Sequence, residues 1–137
     1  IRKIVMFLND HQVRRAAILG TGFIIENRED YLDAVFAWNR DFIIERGRIW
    51  KQYVREPGTR KPYGLVIVYK KGDKVYVSGS VLHKGDKWDR ELALFYAANR
   101  ADPAVVDLES GTFNPDKLPR SCFEVAAALV DEYIAKN

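Results

Sequence analysis

Residues 63–82 read YGLVIVYKKGDKVYVSGSVL. Two runs rich in β-branched and aromatic residues flank Lys71, Gly72 and Asp73, and that combination predicts a tight β-hairpin. Side chains alternate along a strand, so Tyr63, Leu65, Ile67 and Tyr69 share one face of the first run. Tyr76, Ser78 and Ser80 share one face of the second, and the two serines are expected to point away from the core. Gly79 marks either a bulge or a close approach by a neighbouring element.

The chain on either side extends this reading. Upstream, RIWKQYVR (48–55) predicts a further strand, separated from the hairpin by EPGTRKP (56–62). Pro57, Gly58 and Pro62 oppose regular structure there. Before it, Asn27 and Asp30 precede YLDAVFAWNRDFIIERG (31–47), in which Tyr31, Ala34, Val35, Trp38 and Phe42 keep helical spacing and Gly47 suits the position after a helix end. Nearer the start, residues 2–8 suggest a strand. Asn9 and Gln12 then have capping-box spacing ahead of Val13, Ala16 and Ala17, with Gly20 as the stop. Downstream, HKGDKWDRELALFYAANRA (83–101) predicts a helix capped by Asp86, with Asp89 in its first turn and Trp88, Leu92, Phe95 and Tyr96 as its packing stripe. The irregular segment 101–119 contains three prolines. Ser121 and Glu124 then propose a capping box for a last helix that buries Val125, Ala126, Leu129 and Tyr133. Strands clustered between helices predict the α+β class: an antiparallel meander of three to four strands, helices on one face and at both ends, in a single domain over 1–137.

Composition bounds the rest. With 137 residues, 47% apolar, the chain can fill a core without disulfides or metal. Its single cysteine, Cys122, forbids an intramolecular disulfide and suits a reducing cytoplasm. No apolar run approaches the ~20 residues of a membrane helix, and IRKIVMFLNDHQ lacks the h-region of a signal peptide. The expectation is a cytoplasmic protein without a membrane partner. Charge is uneven. Residues 46–74 hold nine basic and two acidic side chains, net +7, whereas residues 101–137 hold seven acidic and three basic, net −4. Such a dipolar chain has either an anion-binding face or a solvated basic edge answered by an acidic helix.

The residues for catalysis are sparse. His11 and His83 stand far apart, no ligand pair has recognised metal spacing, and no cofactor is expected. Cys122, in the first turn of the last helix, is either an activated thiol or a small apolar core residue. Gly20 and Gly22 lack the third glycine of a dinucleotide fingerprint. The basic window is richer. Arg48, Lys51, Arg55, Lys61, Lys70 and Lys74 interleave with Trp50, Tyr53, Tyr63, Tyr69 and Tyr76. Rings and cations together suit bases and phosphates, with stacking worth ~1–3 kcal/mol per base. Cross-strand ring packing with snorkelling lysines explains the same residues without a ligand. Arg90 and Arg100, ten residues apart, fall on similar sides of one helix if it runs that far. They are candidates to grip a phosphate, or to serve as ordinary helix-end arginines.

Two resemblances bear on this. KPYGLVIVY (61–69) resembles the first RNP strand of RNA-recognition domains at Lys61, Tyr63, Gly64 and Val66, and departs from it at Pro62, Leu65 and Val68. VYVSGSVL followed by Lys84, Asp86, Trp88, Arg90 and AANRA resembles small bacteriophage-encoded accessory proteins, host-takeover or anti-defence, with Leu94 and Phe95 as departures. That resemblance implies a non-enzymatic role in a host cytoplasm. The expectation is a protein binding nucleic acid through a basic, aromatic sheet face that includes Arg90 and Arg100. The alternatives are a module inhibiting a host protein and a sponge for a nucleotide. An uncovered sheet face would invite a homodimer.

Overall fold

A computed structural model describes residues 28–137. The strand and helix expected within 2–20, and with them His11, Gly20, Gly22 and Asn27, lie outside the described residues. The chain falls into two compact units, residues 1–42 and 43–137. Helix α1, Arg28–Arg46, runs across that boundary. Within it Tyr31, Ala34, Val35 and Phe42 are buried at the predicted spacing, Trp38 is half-buried and stacks on Phe42 at 5.4 Å between ring centroids, and Asn39, outside the predicted stripe, is buried as well. Gly47 follows the helix with φ +70°, a conformation that spares only a residue without Cβ its steric cost.

The second unit is built on the hairpin. Strands β1 (Trp50–Arg55), β2 (Pro62–Lys71), β3 (Lys74–Val81) and β4 (Ala104–Val105) form one antiparallel sheet in chain order. β2 and β3 pair from Gly64↔Val81 to Lys71↔Lys74, so Gly72 and Asp73 are the two-residue turn, with Gly72 at φ +65°. Helices α2 (Arg90–Ala98) and α3 (Phe123–Lys136) follow. The α+β class, the antiparallel sheet and the helices at both ends agree with the sequence reading.

One detail differs: helices cover both faces of the sheet. Val54, Val66, Val68, Val75 and Val77 form one core with Ala126, Leu129 and Val130 of α3. On the opposite face Ser78 and Ser80 are buried, and their hydroxyls donate to the α2 carbonyls of Ala97 (2.6 Å) and Ala93 (2.7 Å). The serines therefore point into the protein. The reason is that α2 is held by hydrogen bonds as well as by apolar area. Its contact side carries Ala93 and Ala97, small enough to bring backbone carbonyls within reach of a strand hydroxyl, and Ala97 lies in the last turn, where carbonyls lack helical partners.

The ends of the helices also differ from expectation. Asp89, not Asp86, is the N-cap of α2, accepting from the amides of Glu91 (2.9 Å) and Leu92 (3.1 Å). Asp86 sits in the preceding turn, its amide bonded to the His83 carbonyl. The buried side of α2 is Ala93, Leu94, Phe95 and Ala97, while Leu92 and Tyr96 are half-buried. For α3 the capping box does not form: a 3₁₀ turn over Arg120–Cys122 leads in, and the cap position is Cys122 with no side-chain bond. Gly79 proves to be the close approach. A Cβ there would sit 2.9 Å from Cys122 Sγ and 3.3 Å from the Leu65 carbonyl oxygen.

Candidate anion-binding interface

The period-two alternation of the strands decides where the basic and aromatic residues go, because it sends neighbours to opposite faces. Trp50 lies on the α3 side, where its ring meets Tyr133 edge-on at 5.6 Å. Arg48 covers the same ring at 5.1 Å and Lys136 at 5.6 Å. Tyr53 lies on the α2 side and meets Trp88 edge-on at 6.0 Å, with Arg55 over it at 5.4 Å. Tyr69 and Tyr76, opposite each other in the ladder, stack at 5.6 Å. Tyr69 is only 6% exposed. Burial first, then Tyr76, pushes its hydroxyl above the ordinary 10.0, while Arg46 pulls it back.

The expected single platform of Trp50, Tyr53, Tyr69 and Tyr76 is thus not formed. The rings divide between two faces and spend them on protein neighbours. Each pair is worth about 0.5–1.5 kcal/mol beyond its buried area, and each exposed cation–ring contact about 0.5–1 kcal/mol.

The cations behave differently. Arg48, Lys51, Arg55, Arg60, Lys61, Lys70, Lys71 and Lys74 are all exposed. None of the eight is in an ion pair among the described residues, whereas Lys117 pairs with Asp102 and Lys136 with Glu132. Of these, Lys51 and Arg55 lie on β1, the edge strand among the described residues, which spans about 20 Å at ~3.3 Å per residue; the others flank it. At one end stand Arg48 and the hairpin tip, at the other the loop 56–61. That loop is held by its own bonds: the Glu56 amide donates to the Lys61 carbonyl at 2.9 Å, the Arg60 amide to the Glu56 carbonyl at 3.0 Å, and Arg55 Nη1 to the Arg60 carbonyl at 3.0 Å. Arg60 takes φ 63°, a left-handed conformation that costs a residue with Cβ about 1–2 kcal/mol.

The sequence reading did not single out Arg60 or Lys71 for this site, nor Lys84 and Lys87. These two are exposed on the turn before α2, which the Tyr53–Trp88 contact sets beside β1. Nothing in local spacing announces a ring contact between residues so distant in the chain. The positive φ of Arg60 likewise has no sequence marker, since glycine is the usual occupant there.

Arg90 and Arg100 are not brought together. Helix α2 ends at Ala98, so helical spacing does not extend to Arg100. Arg90 is exposed at the first helical position, and Arg100 Nη1 donates to the Gly79 carbonyl at 3.3 Å. β4 pairs with β3 only at Tyr76 and Val77, and Arg100 serves the strand beyond that point.

The nucleophile candidates are committed to packing. Cys122 has no exposed surface, and burial pushes its thiol up to about 11 against a small opposing pull from Arg100. Ser78 and Ser80 donate to α2 as above. Among the described residues no group of three or more His, Cys, Asp and Glu side chains is arranged to hold a metal ion. Among them, too, no helix is long and apolar enough to cross a membrane. Compared with protein-family models, curated proteins and solved structures, the chain matches none of them.

Proposed function

We propose that this is a non-enzymatic protein of the phage-accessory type that binds nucleic acid along the β1 edge, through phosphates rather than stacked bases. The observation that carries the reading is the run of eight exposed cations with no ion pair among the described residues. Cations left unneutralised on one edge repel one another, and a polyanion relieves that repulsion while releasing its own counterions. The rings argue for the mode. Bases need free π-faces to stack, and Trp50, Tyr53, Tyr69 and Tyr76 already have ring partners. Contacts to phosphate alone carry no sequence information, so binding is indifferent to sequence.

The test is fluorescence anisotropy with labelled duplex DNA, single-stranded DNA and duplex RNA between 50 and 200 mM salt, on the order of the range over which counterion release is read. Four to six phosphate contacts give a log–log salt slope of roughly −4 to −5 on duplex DNA. Lys51→Glu with Arg55→Glu should flatten the slope by about two contacts and weaken binding at least tenfold at low salt. Failure of all three probes to bind at the lowest salt refutes the proposal.

A further inference from the structure

The described residues contain a second feature on β1 that the cationic run does not use. Among the described residues β1 has a strand neighbour on one side only. Every second residue of an antiparallel strand turns its N–H and C=O away from that neighbour, so β1 presents a row of unused donors and acceptors. Beside the row lies an open groove of about 450 Å³, with Gln52 on one wall and α3 on the other. The α3 wall is a stripe four residues apart, Glu124, Ala128 and Glu132, above a floor of Val125 and Leu129. The two faces of the edge therefore differ. On the α2 side an incoming strand meets Lys51 and Arg55; on the α3 side it meets a trough with an apolar floor and the carboxylates of Glu124 and Glu132 on its wall.

We infer that β1 is an addition edge for an extended peptide whose side chains alternate acidic and small apolar. The acidic side chains pair with Lys51 and Arg55, and the small ones enter the groove over Val125, Ala128 and Leu129. Main-chain bonds supply attachment and the alternating side chains supply selection. The regular β1–β2 register runs over Trp50–Val54 and shifts before Arg55, so Arg55 stands at the end of the addition edge. Charge excludes a second copy of the chain as occupant. Two β1 strands pairing antiparallel about Tyr53 set Lys51 opposite Arg55 twice, and pairing about Gln52 sets the two Lys51 side chains on a diagonal. Like charges so placed are destabilising.

The inference does not rest on nucleic-acid binding, and its test uses the whole chain without nucleic acid. The probe is a blocked, fluorescein-labelled peptide alternating Glu with Val. The comparison peptides are one of the same composition with the Glu residues in a block, and one with two adjacent central amides N-methylated, one on each edge. The alternating peptide should bind at least tenfold more tightly than either. Ala128→Arg fills the groove at an exposed helix position that tolerates Arg, and should cost the peptide at least tenfold. The same substitution should leave duplex-DNA affinity undiminished, because it adds a positive charge. Lys51→Glu should weaken the peptide at least tenfold. Equal binding of the N-methylated peptide overturns the inference, since attraction would then be charge alone. Absence of binding, indifference to Ala128→Arg, or sedimentation as a dimer that Ala128→Arg dissociates also overturns it.

Discussion

The two faces of the sheet are closed by different means. Toward α3 the strands present valines, and the helix answers with Ala126, Leu129 and Val130. Where the approach is tightest, Gly79 lets Cys122 sit against the strand backbone. Toward α2 the same strand β3 presents Tyr76, Ser78 and Ser80, and two serine hydroxyls bond helix carbonyls. One contact is apolar and limited by volume; the other is partly polar and limited by hydrogen-bond geometry. The lesson is that a strand whose alternate residues are serines is not thereby facing water. A buried hydroxyl is as good a surface for a helix as a valine, provided a carbonyl comes within reach.

Substitutions can break this contrast face by face. The largest loss is expected on the α2 side from Phe95→Ala, a ring with no exposed surface, at about 3–5 kcal/mol in urea unfolding. On the α3 side Gly79→Ala should cost about 1–3 kcal/mol by overpacking against Cys122. Combined with Cys122→Ala, the pair should lose less than the sum of the singles by at least about 0.5 kcal/mol. Strict additivity would mean that Gly79 is not there for closeness. Ser78→Ala should cost about 0.5–1.5 kcal/mol, the net worth of one neutral bond, while Ser78→Val should cost more by adding volume without a donor.

Titration of Cys122 sharpens the comparison further and leaves stability unchanged at neutral pH. Its thiol stands at about 11 in the folded protein against an ordinary 9.0. Below pH 9 both states hold the proton and no pH dependence arises. Above it the unfolded chain ionises first, so stability falls as pH rises from 9 towards about 11. Cys122→Ala should remove that part of the alkaline loss. A thiol reagent that labels native Cys122 at pH 8 as fast as it labels unfolded chain would contradict its burial.

The candidate site divides in the same way as the sheet. Its cations were legible because charge is a property of composition: a window with nine basic and two acidic residues must show some of them to solvent. Its rings were not. Tyr69 and Tyr76 look like a surface pair or a covered pair with equal ease, and Arg90 and Arg100 look helical neighbours until the helix is seen to stop at Ala98. Asp86 and Asp89 are both competent caps, and the choice fell to Asp89, whose carboxylate bonds the first amides of the helix.

Taken alone, the residues of this chain determined the hairpin and the place of its turn, the helical stretches that begin and end the described part, and the excess of positive charge along 46–74. Each follows from interactions between near neighbours or from composition. Tertiary structure alone decided that both sheet faces are covered and that the serines point inward. Period-two alternation separates one face from the other but does not say what will pack on either. That depends on which distant helix has the side-chain size and the open carbonyls to fit.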